Sequence, residues 1–237
     1  MNEKATIISQ SACPGRHFIL RLHAPYIATN ASAGNNVHLD ISAKKLDLAI
    51  MRSEPLSGHI DVLYQTLCSA TQSLAELKVG DTLTLEGPKG QTFSLNPKRP
   101  RPLLIGSDQG LAAVIFLASI IHRTKDKYFP LMLLSSEAPF PFTPSPSRTI
   151  IPGMPNGTIA SLPLMEDWRI PTRLASLQGL PGCFDGPIDE LAEHWLNSLS
   201  AQQLSQIDVF ISGPPQTIVS LIKLSKKFDL PCQACSN

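Results

Sequence analysis

The sequence predicts an N-terminal antiparallel β-barrel followed by an α/β nucleotide-binding domain, and three observations carry that prediction. Residues 5–90 hold short alternating apolar stretches separated by turn clusters. Ser94–Pro102 (SLNPKRPRP) then brings three prolines and three basic residues with little to bury, the composition of a linker. Arg101–His122 follows as strand, glycine-bounded turn and buried helix. In it Leu103, Leu104 and Ile105 form an apolar run, and Gly106 and Gly110 bracket Ser107, Asp108 and Gln109. Residues 111–121 are mostly apolar without Pro or Gly, enough for about three helical turns. Such a unit opens an α/β nucleotide-binding domain, where helix N-terminal N–H groups can hold a phosphate. The expected division is 1–97 for the barrel and 98–237 for the α/β part.

Composition narrows the function. A chain of 237 residues can bury a sizeable core. Its net charge of +1 makes no electrostatic case for nucleic acid or an acidic membrane surface. The first residues, MNEKATIIS, lack the layout of a signal peptide, and the longest largely apolar run, 111–121, is too short to span a bilayer. A cytoplasmic protein with reduced thiols is expected: the five cysteines, Cys13, Cys68, Cys183, Cys232 and Cys235, are odd in number and scattered. The sequons at Asn30 and Asn156 are then idle.

Taken in order, ATIIS, HFILRLHA and NVHLDI supply the first three strands, and Phe18, Leu20 and Leu22 alternate clearly. KLDLAIM and IDVLYQTL follow, separated by the turn cluster Glu54-Pro55-Leu56-Ser57-Gly58. Thr71–Leu77 has helical spacing, and TLTLEG is a sixth strand. Beyond the 101–122 unit, Phe129–Ser135 is a second buried strand. Residues 138–157 carry six prolines in twenty residues, a long loop held extended and anchored by Phe140 and Phe142. A strand is expected near Ala160–Leu164. Pro187 then opens a helix running through Leu199, with Leu191, Trp195 and Leu199 along one stripe. Ile207–Ile211 is a buried strand, and a helix covers about 215–227.

The plan and several stretches resemble the ferredoxin–NADP reductase superfamily, in particular the electron-transfer subunits of dihydroorotate dehydrogenase. The resemblance covers nearly the whole chain. ATII and HAPYIATNASAGNNVHL resemble its first strands and PGQF-type corner. IDVLYQTLCSATQSLAELKVGDTLTLEGPKGQTF resembles LLYKVxGxGTxxLxxLxxGDxLxxxGPxGxxF. LLIGSDQGLAAVIFLA resembles LLVGGGIGxxPLxxLA, and FISGPPQTI resembles xxCGPxxML. The resemblance implies a ferredoxin reductase-like fold with FAD held between Leu48, Ala49 and Ile50 and the stretch Thr66, Leu67, Cys68, Ser69, Ala70 and Thr71. It implies NAD(P) lying against Gly106, Ser107, Asp108, Gln109 and Gly110 and against Ser212, Gly213 and Pro214.

The ligand motifs depart from that pattern. The family's flavin Arg-x-x-Ser falls on Leu46 and Ala49, removing an Arg–phosphate pair typically worth about 1.5–3 kcal/mol. Its GxGT becomes Cys68-Ser69-Ala70-Thr71, where side chains at Cys68 and Ala70 would crowd a pyrophosphate. Asp108 sets an anion where a phosphate should lie. Ser212-Gly213-Pro214 stands for the family's Cys-Gly-Pro. Cys232-x-x-Cys235 supplies two thiolates of the four that a [2Fe–2S] cluster needs, so no cluster is expected within this chain, and both are read as unligated surface thiols.

Two functions follow from this reading. One is a flavin-dependent oxidoreductase or electron-transfer subunit, passing electrons between a nicotinamide nucleotide and a protein redox partner or dehydrogenase-like subunit. The other is a non-catalytic interaction or regulatory protein that keeps the reductase frame without flavin, with 138–157 as its partner surface. Catalytic residues are not assigned, and no metal site is expected. A third layout, Gly106-x-Asp108-x-Gly110 as a nucleophile elbow, needs a histidine within reach. Asp108 is read instead as a helix N-cap. Trp168 and Trp195 are read as packing residues, Arg148, Arg169 and Arg173 as solvated, and Asp185 and Asp189 as favouring a helix N-terminus.

Overall fold

The computed structural model of the protein describes residues 1–41, 44–124, 127–137 and 139–236. Ala138, where the Pro-rich loop was expected to begin, and Asn237 lie outside them. Strands β1 (Asn2–Cys13), β2 (His17–His23), β3 (Asn36–Ile41), β4 (Lys44–Glu54), β5 (His59–Gln65) and β6 (Thr82–Lys89) close into a barrel. Its strand order is β1-β2-β5-β4-β3-β6, and every pairing is antiparallel. The alternation seen in the sequence sets the faces: Leu20 and Leu22 of β2 point inward and are fully buried. Between them Arg21 lies opposite Asp61 and donates to both carboxylate oxygens at 2.7 and 2.8 Å. Helix α1 (Pro25–Asn30) interrupts the barrel where no helix was expected, and α2 (Ser69–Glu76) follows β5.

The second half alternates strand and helix. β7 (Arg101–Ser107), α3 (Leu111–Arg123), β8 (Leu131–Ser135), β9 (Ser145–Pro146) and β10 (Ala160–Ser161) come first. Then follow α4 (Pro163–Trp168), β11 (Thr172–Ser176), β12 (Phe184–Asp185), α5 (Ile188–Asn197), α6 (Ala201–Leu204), β13 (Ile207–Gly213), α7 (Pro215–Lys227) and β14 (Cys232–Ser236). Six strands form a parallel sheet in the order β12-β11-β8-β7-β13-β14. The central strands are apolar on both faces, as a sheet covered by helices requires. Leu104 and Phe210 join the cluster that contains α3 and the barrel interior. Leu103, Ile105, Val209 and Ile211 join the cluster that contains residues of α5 and α7.

Several expectations are corrected. The strand near 160–164 is two residues long, because Pro163 starts α4 and the ladder moves on to β11. The 94–102 segment is not free of the core: Phe93 is buried beside it and Leu95 packs on the main cluster. The amide of Gln233 clamps Ser94, accepting from its N–H at 2.9 Å and donating to its carbonyl at 2.7 Å. The Pro-rich loop is anchored on Phe140, which is buried and packs on Phe142 at 5.2 Å. Glu166 holds it further, accepting from the Ser147 hydroxyl at 2.7 Å and the Arg148 N–H at 2.9 Å. Arg173, read as solvated, is buried in β11 and donates to the Thr149 carbonyl at 2.6 Å. Burial pulls its guanidinium below the usual arginine range, against the opposing charge of Glu166.

The reading of Cys235 is corrected too. Cys232 and Cys235 lie in β14, where side chains alternate, so a spacing of three puts them on opposite faces of the strand. At about 3.3 Å per residue their Cα atoms stand roughly 10 Å apart, beyond the reach of a disulfide. Cys235 is not a surface thiol: it is buried in the main cluster near the Gln91 carbonyl, and burial pushes its pKa up to about 11. Among the described residues no helix is long and apolar enough to cross a membrane, and no three His, Cys, Asp or Glu side chains gather into a metal-holding group.

Candidate functional site

The chain leaves β7 to build β8, β11 and β12 on one side, then returns to place β13 and β14 on the other. The strand order therefore reverses between β7 and β13. A parallel sheet offers its ligand crevice at the carboxyl ends of the strands at such a point. Gly106–Gly110 follows β7 there, and Ser212–Pro214 follows β13, so the structure brings these two predicted segments together. Their glycines serve packing. A Cβ on Gly110 would fall within the shell of the Ser212 carbonyl, and one on Gly213 would meet the Ser107 Cβ at 3.0 Å. The Ser212 hydroxyl is buried there with no hydrogen-bond partner.

Asp108 is not the N-cap of α3. That position is Gly110, which has no side-chain cap. Asp108 sits one turn earlier, in a short 3-10 turn with φ at +49°, left-handed backbone that an aspartate tolerates better than most residues. Its carboxylate closes the turn on itself. One oxygen accepts from the Ser107 hydroxyl at 3.0 Å, and the other accepts from the Glu137 N–H at 2.8 Å and the Ser136 hydroxyl at 3.4 Å. The Ser135 hydroxyl donates to Ser107 at 3.0 Å, extending the network across the ends of β7 and β8. Donors that could meet a phosphate are thus turned toward the protein's own carboxylate. The nucleophile-elbow layout also falls, since none of these partners is a histidine.

The flavin-side segments gather on the barrel. β4 presents Leu48, Ala49 and Ile50, with only 5%, 4% and 0% of their surfaces exposed. They belong to the same apolar cluster as α3. The wall that the resemblance assigns to an isoalloxazine ring is therefore already covered by the chain's own side chains. Next to it, Thr66 and Leu67 lead into α2, and Leu67 is exposed. Cys68 is the N-cap, forming with Thr71 a reciprocal capping box. The Thr71 hydroxyl accepts from the N–H groups of Leu67 and Cys68, each at 3.1 Å. Ala70 of this first turn is fully buried.

A cation that the motif comparison passed over stands here. Lys44, two residues before Leu46 and so on the same side of β4, reaches the Ser69 hydroxyl at 3.2 Å. Its neighbour Lys45 is engaged by Glu86, whereas Lys44 has no carboxylate partner among the described residues. Its charge and the helix N-terminus act on Cys68: hydrogen bonds from the Thr71 N–H and hydroxyl, with Lys44 adding a smaller contribution, hold that thiol below its ordinary range. Lys44 thus places a positive charge on the face of β4 that Leu46 shares. Reading motifs position by position hides such a neighbour, while a lysine on the same strand face was the signal available.

No family model matches the chain. It is 27% identical over 143 residues to the dihydroorotate dehydrogenase B (NAD(+)) electron transfer subunit of Bacillus caldolyticus, covering 57% of this chain and 56% of that one. The subunit of the same name from Geobacillus kaustophilus matches equally. The chain thus spans about half the length of the curated relatives it matches. Among solved structures, the ferredoxin reductase in carbazole 1,9a-dioxygenase superposes with a TM-score of 0.76 at 15% identity, covering 100% of this chain and 69% of that one. A ferredoxin NADP+ reductase from Neisseria gonorrhoeae, with bound FAD and NADP, gives 0.69 at 11% identity over 99% and 98% of the two chains.

Proposed function

From a chain with the fold of the ferredoxin–NADP reductase superfamily, we propose a component of flavin-linked electron transfer that passes electrons to or from a protein partner. The observation that carries this reading is Lys44 beside the N-terminus of α2. An ammonium without a carboxylate partner, next to helical N–H groups, is an anion-binding corner of the kind a flavin's phosphates need. The similarity to electron transfer subunits supports the same class of function.

The fit to FAD differs along its length. At the phosphate end Lys44 and the exposed Ser69 beside it would bind the group, while the N–H groups of Ala70 and Thr71 are taken by the Cys68 thiol. At the ring end the residues do not suit the family's arrangement, because Ala49 offers no hydroxyl and Leu48 and Ile50 are covered by the protein itself. A bound flavin would supply the ring that takes up and hands on electrons. The nicotinamide side fits less well, since Asp108 holds a negative charge in the turn where the pyrophosphate would come. Slow reduction by NADH and NADPH is therefore expected, with a protein as the main exchange partner.

The same Asp108 favours a second reading, in which the frame is kept for binding alone and the turn is a finished structural element. A visible absorption spectrum after incubation with FAD or FMN and desalting separates the two. The electron-transfer reading expects retained flavin and, for Lys44→Gln, retention weakened about 10-fold or more, the worth of one charge-assisted contact. A colourless protein with either flavin overturns it and leaves the binding-only reading.

A further inference from the structure

A cavity of about 680 Å³ opens at the other end of the parallel sheet. Its walls come from residues at strand starts and helix ends: Arg101 opens β7, Leu131 opens β8, Pro171 precedes β11 and His122 lies in the last turn of α3. The turn at 106–110 lies at the opposite edge, roughly 20 Å away across a seven-residue strand. This cavity is therefore separate from the crevice and from the flavin corner, and it has no part in the function proposed above. Its volume is that of a small-molecule site.

We propose that this cavity binds a small organic anion with a planar aromatic body. Aromatic rings contribute to the lining: Trp168 stacks on His122 at 5.2 Å and 11°, and Trp195 and Tyr128, both largely buried, also line it. Such faces take up a flat ring by stacking and area burial. The anionic requirement comes from Arg101 and Arg169. Both line the cavity, and neither guanidinium has a carboxylate partner among the described residues. Among the described residues Asp167 is the single carboxylate of the lining against these two cations. Arginine forks recognise carboxylates and phosphates in two-point contacts.

Two further features fit a preformed site. Pro130, Pro152 and Pro171 stiffen three of the walls, so little order is lost on binding. At the rim, Ile150 and Phe129 stand 90% and 65% exposed. Apolar side chains left in water at a cavity mouth are the groups that a ligand's ring would cover.

The chain's only two tryptophans, Trp168 and Trp195, both line this cavity, so intrinsic emission reports on it directly. The probe is 3-phenylpropionate, with 3-phenyl-1-propanol as its neutral counterpart. The acid should change emission saturably with a midpoint on the order of 1 mM, the affinity that ligand efficiency permits a fragment of this size. The alcohol should bind about 10-fold more weakly, and Arg101→Gln with Arg169→Gln should bring the acid to the alcohol's level. Leu199→Phe, which adds bulk to the lining, should weaken both. Equal midpoints for acid and alcohol on the unmodified protein would overturn the proposal, as would the absence of any saturable change. Neither result bears on flavin retention.

Discussion

Two thiols in this chain are set apart by their surroundings. Cys68 caps α2 at the surface, and hydrogen bonds from Thr71 favour its thiolate. Cys235 is buried, and its thiolate is disfavoured up to about pH 11. Alkylation at mildly alkaline pH, mapped by peptide mass, should therefore modify Cys68 well before Cys235. The same burial links Cys235 to stability. Its folded pKa lies above the unfolded value of 9.0, so the folded state holds this proton more tightly. The resulting stability is present below pH 9 and lost as pH rises toward 11. About two pKa units correspond to about 2–3 kcal/mol, so Cys235→Ala should flatten that part of the denaturation profile against pH. Gly110 is a different kind of residue constraint. Its φ of −69° suits any residue, but a Cβ would collide with the backbone of Ser212 and Gly213. Gly110→Ala should cost several kcal/mol in chemical denaturation, about 3 or more, because backbone cannot move aside as a side chain can.

Elements that announced themselves were those whose reasons lie within their own residues. β2 alternates, α3 is an unbroken apolar run, and α7 starts at a proline and matches the expected 215–227. The elements missed take their reasons from elsewhere in the chain. Six-residue α1 is too short to stand alone, and the N–H groups of Tyr26 and Ile27 are satisfied by the carboxylate of Glu3, from β1. β11 was hidden because its Arg173 reads as surface, whereas its partners are the carbonyls of Thr172 and Thr149. At the site, the turns after β7 and β13 were legible from their glycines and prolines and their meeting was implied by the family resemblance, but the inward use of Asp108 and the approach of Lys44 were not. Both depend on neighbours brought in by folding. The Pro-rich loop shows the same dependence. Its prolines made its extent visible, yet Glu166 of α4 holds it in place. Burial works to raise the Glu166 pKa, but the bonds from Arg148 and Ser147 outweigh it, so the carboxylate stays ionised. Glu166→Gln keeps the shape but loses charge-assisted bonds, each typically worth about 1.5–3 kcal/mol. Limited proteolysis should then cut within 143–157 faster than in the unmodified protein, while the barrel remains intact.

At the scale of the molecule, the apolar cluster does not stop at the 94–102 connection. It runs from Leu20 and Ile50 inside the barrel through Leu111 and Phe116 of α3 to Leu104 and Phe210 in the sheet. A surface helix shows one apolar stripe, but α3 is buried nearly all round because the barrel covers one side and the sheet the other. Neither half could present α3 to water without exposing much of that surface. The two parts should therefore unfold together, although their sequences read as separate units. Both tryptophans lie in the second half and give a signal from that half alone. Ile50→Ala, a truncation on β4 within the barrel, removes a fully buried side chain and should cost about 2–5 kcal/mol. If the core is shared, the tryptophan-monitored transition moves to lower denaturant along with the circular dichroism. If the halves are independent, tryptophan emission keeps its midpoint while only part of the dichroism shifts. The first outcome would also explain why both faces of β4 are covered at this point: alternation puts Leu48 and Ala49 on opposite sides of the strand, and both belong to the cluster that joins the barrel to α3.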